Sequence, residues 1–286
     1  MSLKYEYLNT CTGCVEPLVA KMVMDLTENL VASLATGCLE VASTKFPNTA
    51  WNIPVIHSAF GNSAATISGI EIAYNVLKKK GMKETAKFVV FAGDGGTYDI
   101  GLQALSGALE RGHDFVYVVL DNGGYMNTGG QRSSASPLGA STSTTPAGKT
   151  RFRKDLTKIA AAHHIPYVAQ ASTFDLEDLK MKLKKALEVK GPALVNVLTA
   201  CPRFWRVEPA NLRKVSQLAA DTCFWPIFEI ENGKTKINYV PENKLPVDEF
   251  VKIQGRFKNI SKEQIKMLQD HIDKQWEELT KEQQAF

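Results

Sequence analysis

An α/β fold, built on a largely parallel sheet with helices on both faces and followed by a C-terminal extension, is what this sequence predicts, on three observations. Apolar runs of strand length alternate with amphipathic helical stretches through most of residues 60–200, the pattern of parallel strands joined by helical crossovers. Two of those runs, Phe88–Ala92 and Phe115–Leu120, break abruptly on polar, glycine-rich loops, Gly93-Asp94-Gly95-Gly96 and Asp121-Asn122-Gly123-Gly124. From Cys201 onward the alternation stops. At 286 residues and 44% hydrophobic content the chain can bury a full core. With no internal repeat or linker, residues 1–286 are expected to form one domain, with 201–286 as its extension.

Taken in order, Cys11-Thr12-Gly13-Cys14 lies on a loop feeding a helix expected from about Leu18 to Leu34, with Pro17 in the first turn, where its missing N–H costs nothing. Ala35-Thr36-Gly37-Cys38 leads into an irregular stretch with Pro47, Pro54 and His57. A helix then opens near Ser63 and runs towards Lys80; its Ala64, Ala65, Ser68 and Gly69 suit a close helix crossing or the approach of a cofactor. After the first glycine-rich loop, helical spacing at Leu102, Leu105 and Leu109 follows an opening near Thr97. Residues 129–150 are rich in Gly, Ser, Thr and Pro, too long and polar for an ordinary connection, and their position favours a loop ordered over a ligand or against a partner. Helices near 153–163 and 174–188 flank a strand at Tyr167–Ala169, and Ala193–Leu198 is a further buried strand. Phe224-Trp225-Pro226 and Asn232-Gly233 mark a short β element, and residues 261–283 a polar helix.

Composition excludes several classes of function. The 34 basic and 30 acidic residues leave a formal charge of +4, too little to argue for a nucleic-acid surface, and the lysines at 78–80 and 180–185 read as solvated helix faces. No apolar run is long enough to span a bilayer and Met1–Thr10 lacks the regions of a secretory signal, so a cytoplasmic protein is expected, with neither membrane nor nucleic acid as partner. Five cysteines in such a chain point to metal binding rather than to a disulfide framework.

Adjacent parallel strands bring both glycine-rich loops to one sheet edge, beyond the carboxyl ends where ligands of α/β sheets bind. Asp94 and Asn122 then face one another. A carboxylate, an amide oxygen and loop carbonyls are hard oxygen ligands suited to Mg²⁺ with a phosphate completing its shell, and the glycines let backbone N–H groups approach that phosphate. Cys11, Cys14, Cys38 and Cys201 are a set that could serve a zinc site, a redox disulfide or an iron–sulfur cluster; spacing alone does not choose.

The GDG at 93–95 with Asn122 further on resembles the motif by which thiamine diphosphate enzymes hold Mg²⁺ and diphosphate, and DNGGYMNTGGQRSS resembles the β-subunit of pyruvate:ferredoxin oxidoreductases and related 2-oxoacid:ferredoxin oxidoreductases. The resemblance covers nearly the whole chain and implies a thiamine diphosphate-binding fold. It implies Mg²⁺ ligation by the side chains of Asp94 and Asn122 and the carbonyl of Gly124, a diphosphate loop including Gly93 and Gly95, and Asn127 and Thr128 near the reacting end of the cofactor, with Asn127 as the catalytic candidate. Glu16 resembles a residue near the cofactor, its plain alternative being a carboxylate favoured at a helix N-terminus. CTGCVEP, TGC and ACP resemble the segments that ligate a 4Fe-4S cluster, which assigns Cys11, Cys14, Cys38 and Cys201; Cys223 reads as a free thiol, unless the C-terminal segment folds back and brings it to the place of Cys201. The implied activity is oxidative decarboxylation of a 2-oxoacid, pyruvate first and branched-chain, oxalate or aryl 2-oxoacids as alternatives, with the acyl group passed to coenzyme A and electrons to ferredoxin. The family's pyrimidine-binding, coenzyme A-binding and ferredoxin-like portions have no counterpart here, so alpha, gamma and delta type subunits are expected partners. Rival readings are a non-oxidative thiamine enzyme, which needs no cysteine set, and a structural zinc-binding subunit.

Overall fold

The computed structural model describes residues 3–284. Its α-helices and strands, in chain order, are α1 (Glu16–Leu26), β1 (Leu30–Ala35), α2 (Cys38–Ser43), β2 (Val55–Ser58), α3 (Ser63–Lys79), β3 (Lys87–Gly93), α4 (Leu102–Glu110), β4 (Val116–Asp121), α5 (Leu156–Ala161), β5 (Tyr167–Ser172), α6 (Leu176–Glu188), β6 (Ala193–Leu198), α7 (Pro202–Trp205), α8 (Leu212–Asp221), β7 (Ile227–Glu231), β8 (Lys234–Tyr239), α9 (Asp248–Val251) and α10 (Lys262–Gln284). They build one eight-stranded sheet of order β2-β1-β3-β4-β6-β5-β7-β8. The first six strands of that order pair in parallel; β7 joins β5 and β8 joins β7 antiparallel, so the C-terminal part continues the sheet through a hairpin turning at Asn232-Gly233.

Each parallel strand carries apolar residues on both sides because helices cover both. Val89, Phe91, Val118 and Val195 pack with Val19 and Val23 of α1 and Leu179 and Leu183 of α6. Phe88, Val90, Tyr117 and Val119 face the other way, with Ile67 of α3, Leu105 of α4 and Leu156 of α5. A third cluster, from Trp205, Val215, Trp225 and Phe250, joins α7–α9 to the end of the sheet.

Two expectations for the N-terminal part are corrected. The helix foreseen from Leu18 to Leu34 ends at Leu26; Asn29, at φ 56°, turns the chain, and Leu30–Ala35 pairs with both β2 and β3. Leucines and alanines suit either element, and burial between two strands overrides their helical propensity. The stretch with Pro54 and His57 read as irregular contains β2, a four-residue edge strand. Residues 129–150 form an ordered loop with Ala135, Leu138 and Ala140 buried. The buried Lys149 ammonium donates to the carbonyls of Ser133, Ser134 and Ser136 at 3.3, 3.1 and 2.7 Å, closing the loop on itself. No helix among the described residues is long and apolar enough to cross a membrane.

Between β3 and α4 the chain makes a single π turn, Gly95–Asp99, rather than opening an α-helix at Thr97. The turn closes so tightly that a Cβ on Gly101 would lie 1.9 Å from the Gly96 carbonyl oxygen. Gly101→Ala should therefore cost about 2–3 kcal/mol of unfolding free energy, read from urea midpoints, because backbone on both sides must shift; an unchanged midpoint would mean the turn relaxes freely.

Candidate functional site

β1 has β2 on one side and β3 on the other, so the chain leaves β1 in one direction and returns in the opposite one; the opening this makes beyond the strand ends is where α/β sheets bind ligands. A cleft of about 170 Å³ lies there, lined by Ala35–Leu39 after β1, Phe60 after β2, Phe91–Gly96 of β3 and its loop, Leu120, Asn122 and Gly124–Thr128 after β4, and Glu16 from α1. The register Gly93↔Leu120 sets the two loops side by side, which puts Asp94 and Asn122 in the same cleft. Gly95 owes its lack of a side chain to packing as well as to any ligand, since a Cβ there would meet the Tyr125 ring at 2.3 Å.

Two aspartates are buried at the ends of β3 and β4, and only one has a cation. Asp121 pairs with Arg153 at 2.6 Å and accepts from the Tyr98 hydroxyl at 2.6 Å and from the Gly123 N–H at 3.0 Å. Asp94 accepts from Ser133 Oγ through Oδ2, while its Oδ1 is buried with no partner. Burial first, and the Asp121 charge second, push the Asp94 carboxyl well above the usual range. An orphaned carboxylate oxygen beside Asn122 and the backbone of Gly124 is what a hard divalent cation satisfies, so the donors present fit Mg²⁺.

A second hollow, of about 470 Å³, adjoins the first. Cys11, Cys14, Cys38 and Cys201 all line it, with Thr199, Ala200, Lys45 and Arg203. Cys11 and Cys14 precede α1, Cys38 opens α2, and Cys201 caps α7, its Sγ accepting from the Phe204 N–H at 3.4 Å. Cys223 lies elsewhere, buried in the C-terminal cluster. Among the described residues no three His, Cys, Asp or Glu groups stand close enough to hold one metal ion. Burial raises the thiols of Cys14, Cys38 and Cys201, the last to about 11, with Glu16 adding to each shift, so a cation is needed to ionise them. A thiolate-rich hollow of this size fits a 4Fe-4S cluster.

Glu16, Cys38, Met126 and Asn127 line both spaces and form the wall between them. Thr128, next to Asn127, lines only the cleft and is exposed, its hydroxyl donating to Gln131 Oε1 at 2.8 Å. Glu16 is 6% exposed and accepts from Asn122 Nδ2 at 3.3 Å; burial raises its pKa from 4.5 to about 7 against that bond. Between pH 4.5 and 7 the cofactor-free native chain therefore holds a proton that the unfolded chain has lost. Stability from this group is fully present below pH 4.5 and falls by about 3 kcal/mol as pH rises through 7. Glu16→Gln should flatten that part of a plot of urea midpoint against pH; a slope equal to the parent's would exclude Glu16 as its source.

Sequence reading missed Ser133 on Asp94, Arg153 on Asp121, and a network at the cleft rim in which Thr36 Oγ1 meets His57 Nε2 at 2.7 Å and His57 Nδ1 meets Glu40 Oε1 at 3.3 Å. Asp121 stood next to a singled-out residue and could have been flagged as a second buried charge. The others are brought in by tertiary packing and carry no local signal.

Comparison with known proteins identifies the family. Residues 35–197 match the family described as thiamine pyrophosphate enzyme, C-terminal TPP binding domain. The chain is 46% identical to pyruvate synthase subunit PorB of Thermotoga maritima, covering 94% of this chain and 88% of that one. It is 43% identical to ketoisovalerate oxidoreductase subunit VorB of Pyrococcus abyssi, covering 96% and 92%. A solved 2-oxoglutarate:ferredoxin oxidoreductase from Magnetococcus marinus shares the fold, with TM-score 0.58 and 23% identity over 76% of this chain and 80% of that one. With a thiamine pyrophosphate-binding family model over residues 35–197 and relatives aligned along almost its whole length, the chain belongs to the thiamine diphosphate-binding β-subunits of the pyruvate:ferredoxin and related 2-oxoacid:ferredoxin oxidoreductases.

Proposed function

We propose that this subunit holds Mg²⁺-thiamine diphosphate in the cleft and a 4Fe-4S cluster in the cysteine hollow, and that the assembled enzyme decarboxylates pyruvate oxidatively, passing the acyl group to coenzyme A and electrons to ferredoxin. The observation that carries this reading is the shared wall of Glu16, Cys38, Met126 and Asn127, which leaves only side chains between the two spaces. When bound, thiamine diphosphate supplies the electron sink for decarboxylation and the cluster a one-electron acceptor.

The chain's own residues bind and orient. Asp94 Oδ1, the side-chain oxygen of Asn122 and the Gly124 carbonyl are the Mg²⁺ ligands, and the Gly93–Gly96 loop cradles diphosphate. Ser133 Oγ holds the Asp94 carboxylate in place through Oδ2. Glu16 accepts from Asn122 Nδ2 at 3.3 Å and so fixes the amide, whose oxygen accepts from the Gly124 N–H at 3.2 Å and keeps a second lone pair for the ion. Asn127, exposed in the wall, offers an amide to the reacting substrate. Cys11, Cys14, Cys38 and Cys201 are the cluster ligands. Alpha, gamma and delta type subunits supply the remaining portions, including the group against the pyrimidine ring.

Pyruvate stands first because the pyruvate synthase subunits are the more similar relatives, and the ketoisovalerate relative keeps branched-chain 2-oxoacids as the second reading. Anaerobic purification of the native complex should yield iron and acid-labile sulfide, with ferredoxin reduction fastest on pyruvate. Zinc without iron would replace the cluster by a structural metal. Turnover by the pure chain alone would overturn the need for partners.

A further inference from the structure

Arg256 is 1% exposed, the most deeply buried guanidinium among the described residues that makes no ion pair there, and it lies in the C-terminal extension. Its Cζ stands 4.0 Å from the Trp205 ring centroid, 5.1 Å from that of Phe257 and 5.8 Å from that of Phe204. Nε donates to Gln254 Oε1 at 2.8 Å, and Nη1 is buried without a hydrogen-bond partner. That nitrogen points at the metal loop: a Cβ on Gly123 would come within 3.1 Å of it. Trp205, stacked against the guanidinium, donates its indole N–H to the Asn122 carbonyl at 2.6 Å and its own N–H receives no slack either, bonding the Cys201 carbonyl at 2.9 Å. The Arg256 carbonyl accepts from the Ser141 N–H at 2.7 Å, which ties the same turn to the 129–150 loop.

The charge therefore sits against the strip of chain that runs from Cys201 through Trp205 to Asn122. Burial, with the like charge of Arg153 adding to it, lowers its pKa to about 9 against the opposing pull of Asp121, Cys201 and Asp94, which leaves it charged at neutral pH. A cation buried among aromatic rings without a carboxylate costs stability, and an apolar side chain would fill the same box at no such cost. Its position against the metal loop and the Cys201 segment gives that cost a return in electrostatics.

We propose that Arg256 is a fixed countercharge that raises the reduction potential of the iron–sulfur centre in the cysteine hollow. This rests on the reading of that hollow as a cluster site. A cluster held by these thiols would take up one electron at a time from the decarboxylated substrate in the neighbouring cleft, so that its charge would become more negative by one with no bond made or broken and no proton moved. A positive charge held nearby in a dry region favours the reduced form. Arg256 is a positioning residue of electrostatic kind, since it touches neither substrate nor sulfur.

The test is a redox titration of the cluster by electron paramagnetic resonance in the assembled enzyme. Arg256→Met fills the aromatic box with an apolar chain, Arg256→Gln keeps polar donors, and Arg256→Lys keeps the charge. Both neutral variants should lower the equilibrium constant for one-electron reduction about tenfold, a fall of about 59 mV, while Arg256→Lys should stay within about threefold of the parent. An unchanged potential in an assembled neutral variant, or an equal fall in Arg256→Lys, overturns the proposal. Loss of the cluster from both neutral variants overturns it too, since the arginine would then be holding structure. Absence of iron and sulfide from the parent enzyme would instead remove the cluster reading on which it rests.

Discussion

Asp94→Ala in the assembled enzyme should reduce Mg²⁺-dependent affinity for thiamine diphosphate by on the order of a hundredfold or more, since loss of groups that merely support metal ligands already costs 10–100-fold. The reason is local. Asp121 is already neutralised by Arg153, whereas Asp94 lines the cleft with Oδ1 left for a cation. The same substitution should leave the cofactor-free chain as stable as the parent or more so, because it removes a buried, poorly solvated carboxyl. Calorimetric titration with cofactor and Mg²⁺, paired with thermal unfolding of the cofactor-free form, reads both effects. Full cofactor content in the variant would remove Asp94 from the site, and a large loss of intrinsic stability would make its role structural.

Cys201→Ala should leave three thiols around the hollow and yield protein that loses iron or carries a damaged cluster. Cys223→Ala should keep the electron paramagnetic resonance signal of the reduced 4Fe-4S centre intact. Cys201 stands three residues past β6, at the cofactor edge of the sheet, and caps α7. Cys223 is packed in the C-terminal cluster away from the hollow, so its replacement should cost only about 1 kcal/mol of packing. The opposite pattern of iron content would mean that the extension supplies the fourth ligand.

What the sequence revealed of this fold follows how local each signal was. β3 and β4 were legible because each is an uninterrupted apolar run stopped by glycines, and their adjacency made the shared placement of Asp94 and Asn122 foreseeable. β1 was not: Leu30–Ala35 follows a true helix and continues its apolar character, and only pairing on both sides decides it. β2 escaped because it is four residues long, half exposed and preceded by proline. At the site, glycines and cysteines advertised themselves. Ser133, Arg153 and Arg256 did not, since a serine in a serine-rich loop or an arginine in an irregular stretch is defined by what packs against it.

The four thiols of the hollow come from segments lying before α1, at the start of α2 and after β6, on a sheet whose central strands are laid down by intervening crossovers. Cys11 and Cys14 share one turn, but they and Cys38 cannot meet Cys201 until that sheet has closed, because long chain loops must be ordered before such distant contacts are made. Any centre they hold is inserted into a folded chain and takes no part in nucleating it. Once in place it links distant parts of the polypeptide, so its removal should speed unfolding far more than it slows refolding.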